Sequence, residues 1–182
     1  MNILQKFIQK GKNSDITIGI GLSELPKLNR NIGEALIQFF QSYKNTIILY
    51  GSKQFENSFP KNNILTKRKS NLVFKASNEP EVKILEDLES NNINAAIRGS
   101  LSSSLFIKYI KKHFNVLETS RLALLETYAK DQFFFGPVGI DECNTSQKKI
   151  LFIESALSQF TNLRIPPRIS ILSGGRISDI GR

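Results

Sequence analysis

Four consecutive residues near the end of the chain have the side-chain and backbone properties that bind an anion. They are Ser173, Gly174, Gly175 and Arg176, and they follow an apolar run, Ile169 to Leu172, that is typical of a buried strand. Glycine lets the backbone approach a ligand closely, and the planar guanidinium of arginine matches a phosphate or carboxylate group. An ordinary turn between a strand and a helix is the alternative. The pattern favours a ligand-binding edge.

A second group of anion-binding residue types lies between a predicted strand and a predicted helix. It combines one arginine with several serines, and we expect the following to contact a ligand: Arg98, Ser100, Ser102 and Ser103. The first turn of a helix offers free backbone N–H groups, and hydroxyls and a guanidinium would complete an anion site there. The alternative is that Ser102 only caps the helix. We expect Arg98 to neutralise the ligand together with Arg176, and the serines to donate hydrogen bonds.

Two adjacent carboxylates, Asp141 and Glu142, follow another predicted strand. Carboxylates in such a position supply a general base or orient an arginine, and we assign the catalytic role to Asp141. Alternatively, both residues favour the N-terminus of the following helix through its dipole. The adjacent Cys143 is either a nucleophile near that helix or a packed thiol, and the sequence offers no visible partner base for it.

The N-terminal glycines begin like a dinucleotide-binding fingerprint. Gly19 and Gly21 form Gly-x-Gly, but Glu24 stands where the third glycine belongs, and its carboxylate would repel a pyrophosphate. A tight turn after a strand is the alternative. The single histidine, His113, ends a predicted helix, where it complements the helix dipole. One histidine and one cysteine cannot build a His/Cys zinc site, so we expect no metal.

The 182 residues carry a formal net charge of +9, which indicates an anionic partner or else a solvated lysine-rich surface. Basic residues cluster at 67–69 and 111–112, but exposed aromatic residues are not interleaved with them, so nucleic acid is not a favoured partner. Residues 1–10 predict a short amphipathic helix rather than a signal peptide, and no run approaches a membrane span. One cysteine fits a reducing compartment, so we expect a cytoplasmic protein with no membrane partner.

Strands and helices alternate along the chain. Predicted strands cover residues 17–20, 46–50, 71–75, 93–97, 121–126, 131–135 and 169–172. Predicted helices cover residues 31–43, 79–89, 102–113 and 145–163, and residues 57–69 are expected to form a loop. This alternation is typical of an α/β fold with a mainly parallel sheet and flanking helices, in which ligands bind at the carboxyl ends of the strands. We expect one domain over residues 1–182, with a second lobe at about 115–165.

Three segments of the chain resemble the phosphate acetyl/butyryltransferase superfamily, in particular its methanogen branch, known as methyltransferase Mtx subunit X or methanogenesis marker protein 4. The segments are Asn94-Ala-Ala-Ile-Arg-Gly-Ser-Leu-Ser102, Phe135-Gly-Pro-Val-Gly-Ile-Asp-Glu142 and Leu172-Ser-Gly-Gly-Arg-Ile-Ser-Asp-Ile-Gly-Arg182. Their order and spacing match the branch along most of the chain, and the last segment is the most specific. The branch continues after Ile-Asp-Glu with a glycine, where this chain has Cys143.

The resemblance implies a two-lobed α/β fold with a cleft for an acyl phosphate or a similar anion. It also implies a transferase, namely a methyltransferase of the Mtx subunit X type in archaeal methanogenesis. Two alternatives stay open: a phosphate acyltransferase that uses coenzyme A, and a non-catalytic subunit that binds an anionic metabolite or a partner protein. Coenzyme A and S-adenosylmethionine are the cofactors to consider. The expected partners are a small anionic metabolite, a second copy of the chain, or methyltransferase subunits.

The residues alone carry no signature of methyl transfer. Glu24 interrupts the glycine-rich loop of a common S-adenosylmethionine enzyme, and the sequence has no Asp-x-His-x-x-Gly segment of the corrinoid-carrier type. Family members extend beyond the residue that matches Arg182, so the resemblance implies further cleft residues there. We expect a chain without that portion to hold a half-built site and to expose apolar surface.

Overall fold

The computed structural model describes residues 2–12, 15–56, 71–139, 142–162 and 166–172, which divide into two compact units, Met1–Thr119 and Ser120–Arg182. The helices of the first unit are α1 (Ile3–Lys12), α2 (Pro26–Ser42), α3 (Lys53–Glu56), α4 (Pro80–Glu89) and α5 (Ser103–His113). Its strands are β1 (Thr17–Gly21), β2 (Thr46–Gly51), β3 (Leu72–Ala76) and β4 (Ala95–Ile97). The second unit contains β5 (Ala123–Glu126), β6 (Gln132–Phe135) and α6 (Ser146–Asn162). The predicted loop at 57–69 lies outside the described residues.

The four strands of the first unit form a parallel sheet in the order β3-β2-β1-β4. β1 pairs with β2 from Thr17 opposite Thr46 to Gly21 opposite Tyr50, and its other edge pairs with β4. Since helices pack against both faces of this sheet, the expected α/β fold with a mainly parallel sheet is confirmed. None of the helices in the described part of the chain is long and apolar enough to cross a membrane.

Alternate side chains of the central strands supply two apolar cores, one on each face of the sheet. On one face, Ile20 of β1 and Leu49 of β2 pack with Leu36 and Phe40 of α2. On the other face, Tyr50 of β2 packs with residues of α4, of α5 and of the loops beside them: Ile84, Leu85, Ile93, Leu101 and Phe106. Burial of each large apolar side chain stabilises the fold by about 1.5–3 kcal/mol, so these two cores hold the helices against the sheet.

Gly19 lies inside the strand predicted over 17–20, and Gly21 extends that strand by one residue. A Cβ atom on Gly19 would come within 2.6 Å of the Ile93 side chain, and one on Gly21 within 2.1 Å of the Leu101 side chain. Because glycine has no side chain, the second core can approach β1 closely at these two positions. This close packing explains why glycine stands at both positions, and a bound dinucleotide is not needed to explain the Gly-x-Gly pattern.

One carboxylate, Asp87 of α4, is buried beside the second core. It accepts hydrogen bonds from the Tyr50 hydroxyl at 2.7 Å, from the Lys75 ammonium, and from the Asn92 amide at 3.3 Å. Burial acts to raise the pKa of Asp87, but the hydrogen bonds from Lys75, Tyr50 and Asn92 outweigh burial and hold this pKa below its ordinary value. Burial, and then the bond to Asp87, raise the pKa of Tyr50. The cluster links α4 to β2 and β3.

Helix α2 begins at Pro26 instead of the predicted Asn31. Proline is well suited to the first turn of a helix because its φ angle is already helical and the missing N–H would have no partner there. The polar residues after Pro26 interrupt the apolar periodicity, and for this reason the predicted helix begins later in the sequence than the observed one. The predicted helix over 102–113 is confirmed in α5, for which Ser102 is the N-cap.

The second unit is built on an antiparallel hairpin, which agrees with the two strands predicted at 121–126 and 131–135. Ala123 lies opposite Phe135, and Glu126 lies opposite Gln132. The ring of Phe134 is 4.6 Å from the ring of Phe160 on α6, so one face of the hairpin packs against this helix.

Residues 169–172 do not form the strand that we predicted. They have no strand partner within the described residues, and Ile171 and Leu172 are exposed. A β-branched apolar run favours a strand only when another strand pairs with it, because the backbone hydrogen bonds of a strand are made between chains of the sheet.

Candidate functional site

The carboxyl ends of β1 and β4 lie side by side at the point where the strand order of the sheet reverses. The chain leaves β1 through α2 toward β2 and β3, whereas β4 lies on the opposite side of β1 and continues into α5. The two helices pack on opposite faces of the sheet, since Leu36 of α2 and Phe106 of α5 belong to different cores. In open α/β sheets in general, ligands bind beside such a switch point.

The buried hydroxyl of Ser100 ties these two loops together. Its Oγ donates a hydrogen bond to the Asn29 side-chain oxygen at 2.6 Å and accepts one from the Ser23 N–H at 2.7 Å. The Asn29 amide in turn donates to the Ser23 carbonyl at 2.8 Å. Ser23 follows β1, Asn29 lies in the first turns of α2, and Ser100 follows β4, so this network joins three elements at the switch point.

Gly99 allows the turn that brings Ser100 to this network. Its φ angle is +60°, in the left-handed region that favours glycine, and a Cβ atom there would lie 2.1 Å from the Gly21 carbonyl oxygen. The Ser100 N–H donates to that same carbonyl at 3.1 Å, and the Leu101 N–H donates to the Arg98 carbonyl at 3.2 Å. The loop after β4 is therefore hydrogen-bonded directly to the end of β1.

Arg98 and the serines of α5 lie on the exposed side of this loop. The Arg98 guanidinium donates to the Leu101 carbonyl, which leaves its other N–H groups available. Ser102 caps α5 by accepting from the Leu105 N–H at 3.5 Å, and its hydroxyl is also 3.2 Å from that of Ser104. Ser103 is exposed in the first turn. The N-terminus of α5 therefore presents hydroxyls beside a guanidinium.

The structure brings Arg98, Ser100, Ser102 and Ser103 into one loop and the helix turn after it. The other site residues that we predicted lie outside the described residues: Asp141, Ser173, Gly174, Gly175 and Arg176. Their roles stay predictions. Within the ranges that the structure describes, no three His, Cys, Asp or Glu side chains come together in a way that would hold a metal ion.

Glu142 orients an arginine, which was one of the two roles suggested for the adjacent carboxylates. Its carboxylate accepts from the Arg121 backbone N–H at 2.9 Å and from the Arg121 side chain at 2.6 Å. Partial burial acts to raise the pKa of Glu142, but these hydrogen bonds, one from the Gly139 backbone and the charge of Arg121 lower it overall. The pair fixes the segment after β6 against the start of the hairpin.

Two further candidates have structural partners. Cys143 is buried, with its Sγ 3.4 Å from the Ser120 hydroxyl, as expected for a packed thiol. His113 lies in the last turn of α5, and its Nε2 is 2.9 Å from a carboxylate oxygen of Glu89 at the end of α4.

Sequence reasoning missed Ser23 and Asn29. The helix prediction began at Asn31, which left Asn29 in a loop with no assigned role. Pro26 was the available signal, because a helix that begins there puts Asn29 within the first turns after β1. The pairing of Asn29 with Ser100 spans 71 residues of sequence and had no local signal.

A four-stranded parallel sheet with helices on both faces defines the class of the protein: an α/β domain. Comparison with known proteins shows which α/β proteins the chain resembles in sequence. The chain is 41% identical over 106 residues to a protein of Methanosarcina barkeri named "Putative methyltransferase mtx subunit X", a match that covers 58% of this chain and 39% of the relative.

Other methanogens have similar proteins. A Methanosarcina acetivorans protein of the same name is 39% identical over 104 residues, covering 57% of this chain and 37% of the relative. An uncharacterised methyltransferase of Methanocaldococcus jannaschii is 33% identical over 104 residues, covering 54% of this chain and 42% of the relative. The chain thus matches about two fifths of the length of these relatives.

These similarities confirm the expected resemblance to the methanogen Mtx subunit X proteins. No family model matches the chain, and no solved structure matches it. The relation to phosphate acetyl- and butyryltransferases therefore stays a prediction.

Proposed function

We propose that the chain is the switch-point domain of a methanogen transferase, related to methyltransferases, that binds the anionic group of a small metabolite. Its relatives are named methyltransferases, and three of them are named as a subunit. The same names support partner subunits of a methyltransferase for this chain. The anion site is our inference from the geometry of the loops after β1 and β4.

The buried network of Ser100, Asn29 and Ser23 is the observation that carries the proposal. Burial of a polar side chain is costly unless it is hydrogen-bonded, and a buried network whose members are bonded to one another makes the segments that it joins rigid. In this network the hydroxyl of Ser100 is both donor and acceptor, and the loop after β4 is bonded to the end of β1. A rigid loop favours ligand binding because little conformational entropy is lost when the ligand arrives.

In this proposal Arg98 supplies the charge and α5 supplies the hydrogen-bond donors. The guanidinium can pair with a phosphate or carboxylate while one of its N–H groups stays on Leu101. Ser102 and Ser103 offer hydroxyls at the positive end of the helix dipole. Ser100 acts by positioning the loop. Asp141 as the catalytic carboxylate and the segment from Ser173 to Arg176 as a second anion-binding loop are proposed from the sequence alone.

Calorimetric titration with acetyl phosphate, coenzyme A and S-adenosylmethionine tests the proposal. We expect one of these anion-bearing compounds to bind, and Arg98→Ala to weaken its binding about tenfold or more, since a charge-assisted hydrogen bond contributes roughly 1.5–3 kcal/mol. Lys108→Ala is the matched control, because it removes the same charge from an exposed position further along α5. Circular dichroism of both variants checks that the fold is intact.

The identity of the bound compound distinguishes methyl transfer from acyl transfer. Binding of S-adenosylmethionine would support methyl transfer, whereas binding of coenzyme A or acetyl phosphate would support acyl transfer. Equal loss of affinity in the Arg98 and Lys108 variants would point to a diffuse charge effect and would overturn the site. Absence of binding by all three compounds would leave a non-catalytic subunit as the better description.

A further inference from the structure

The loop after β1 carries an exposed carboxylate, Glu24, that forms no ion pair within the part of the chain that the structure describes. The backbone on either side of it is held in place, because the Ser23 N–H donates to Ser100 and the Leu25 N–H donates to the Ser23 hydroxyl at 3.2 Å. The Gln54 amide donates to the Glu24 carboxylate at 3.4 Å. A fixed carboxylate near Arg98 would weaken the binding of a simple anion there, so its presence calls for an explanation.

The residues next to Glu24 come from the end of the neighbouring strand, β2. The Leu22 N–H donates to the Tyr50 carbonyl at 2.7 Å, so the chain segments that leave β1 and β2 begin side by side. Ser52 follows β2 directly, and Gln54 lies two residues later in α3. The Ser52 hydroxyl is buried and has no hydrogen-bond partner among the described residues. Because an unpaired buried hydroxyl is costly, this atom indicates that a further hydrogen-bonding group belongs at this edge of the sheet.

Glu24, Gln54 and Ser52 all offer hydrogen-bond acceptors. Glu24 has two carboxylate oxygens, and Gln54 donates its NH₂ group to Glu24, which leaves the side-chain oxygen of Gln54 as an acceptor. The hydroxyl of Ser52 can also accept. An ammonium group carries three N–H donors and a positive charge, so it matches this set of acceptors and balances the charge of Glu24. A neutral hydroxyl of a ligand would leave that charge unbalanced.

Arg98 lies on the other side of the loop after β1. Strands β4 and β2 are the two neighbours of β1. Adjacent strands are about 4.8 Å apart, so the backbones that follow β4 and β2 lie roughly 10 Å apart, with Glu24 on the loop between them. Arg98 does not pair with Glu24, since its guanidinium donates to the Leu101 carbonyl. Two opposite charges on neighbouring loops that do not pair with each other can hold the two ends of one ligand that carries both signs.

We propose that Glu24, Gln54 and Ser52 form an ammonium subsite beside Arg98, and that the ligand is a small zwitterion. Its amine and its phosphate or carboxylate group are a few atoms apart, as in phosphoethanolamine or an α-amino acid. The inference rests on the anion site of the proposed function and narrows the class of compound that the site binds. A compound with a second anionic group in place of the amine would be repelled by Glu24.

Calorimetric titration of the full chain with two matched pairs of probes tests the subsite. O-phosphoethanolamine and ethyl phosphate differ only in the amine, and so do L-alanine and propionate. We expect the wild type to bind the zwitterion of at least one pair about tenfold or more tightly than the amine-free probe, because the amine adds charge-assisted hydrogen bonds. The pair with the larger preference shows whether the anionic group is a phosphate or a carboxylate.

The variant Glu24→Gln should have opposite effects on the two members of a pair. We expect it to weaken binding of the zwitterion about tenfold or more, and to leave binding of the amine-free probe equal or slightly tighter, since the repulsion by the carboxylate is removed. Arg98→Ala should weaken binding of both members. Glu34→Gln is the matched control, because it removes an exposed carboxylate further along α2, and it should keep the preference of the wild type.

The outcomes separate this subsite from the anion site. Equal affinity of the wild type for both members of each pair would overturn the ammonium subsite and leave the Arg98 site in place. A Glu24→Gln variant that keeps the preference would also overturn it, and so would a Glu34→Gln variant that loses the preference equally. Absence of binding by all four probes would overturn the ammonium subsite as well, whereas the titration with acetyl phosphate, coenzyme A and S-adenosylmethionine decides on the anion site separately.

Discussion

Ser100 uses both hydrogen-bonding functions of its hydroxyl on protein groups, the Asn29 side chain and the Ser23 backbone. In the sequence it looks like one of several serines that could donate to an anion. In the fold it is buried, whereas Ser102 and Ser103 are exposed. The serines of this loop therefore divide into one that holds the loop in position and others that remain accessible to a ligand.

Replacing Ser100 by alanine should lower the free energy of unfolding by about 2–4 kcal/mol, because the buried Asn29 oxygen loses its donor at roughly 1–3 kcal/mol and the half-buried Ser23 N–H loses its acceptor at about 1 kcal/mol. Urea denaturation measures this change. Ser103→Ala is the control and should stay within about 0.5 kcal/mol, since its side chain is exposed. Equal effects of the two substitutions would contradict the scaffolding role of Ser100.

Gly99 should tolerate no side chain. Gly99→Ala combines a strained left-handed backbone, which costs about 1–3 kcal/mol, with a Cβ 2.1 Å from the Gly21 carbonyl oxygen. Because that oxygen belongs to the central strand, it cannot move aside, and we expect a large loss of stability in urea denaturation. Gly11→Ala is the matched control: nothing lies within 4 Å of its added Cβ, and alanine in α1 should be neutral or stabilising by up to about 1 kcal/mol.

At the scale of elements, the buried Asp87 cluster connects α4 to the sheet. The amphipathic pattern of α4 gave no sign that this carboxylate faces inward, because Asp87 is one of several acidic residues in the helix. Its partners come from β2, β3 and the loop before β4. Only the packing of α4 against those strands made Asp87 a core residue.

Stability should fall in acid partly through Asp87. Its pKa is lower in the folded than in the unfolded chain, so its contribution is complete above about pH 4 and is lost as the pH falls through the folded pKa. Asp87→Asn should remove this acid-sensitive part of the stability and lower the free energy of unfolding by about 1–3 kcal/mol at neutral pH. Urea denaturation across pH measures both effects, with Glu86→Gln, an exposed neighbour on α4, as the control. An unchanged acid profile in Asp87→Asn would contradict the assignment.

The prediction of helices and strands succeeded where nearby residues determine where an element begins and ends. The Ser102 cap fixed the start of α5, and short continuous runs of apolar residues located β2 and the hairpin strands. It failed at residues 169–172, where an apolar run has no strand partner within the described chain. Gly19 lies inside the predicted strand and Gly21 extends it by one residue, and both let the second core pack closely against β1.

At the scale of the whole molecule, the two units differ in how much core they contain. Among the described residues, every buried apolar side chain belongs to Met1–Thr119 except that of Cys143. The second unit instead exposes Leu125, Phe133 and Phe135. The stability of the chain should therefore come mainly from the first unit.

A fragment of residues 1–119 should fold by itself. It contains the complete four-stranded sheet and both apolar cores, which is sufficient for a small domain to unfold cooperatively. Circular dichroism during thermal unfolding should give a single transition within a few degrees of the main transition of the full chain. A broad transition without cooperativity would mean that the first unit depends on residues after 119.

The sequence by itself determined the alternation of strands and helices, the polar character of the loop at Arg98 to Ser103, and the resemblance to the methanogen proteins. Each of these depends on residue type and short spacing, which are local properties. The tertiary structure alone decided that β1 lies at the centre of the sheet, that Ser100 pairs with Asn29, and that Asp87 is buried. These features join residues far apart in sequence, and no local pattern encodes which distant partner a side chain will meet.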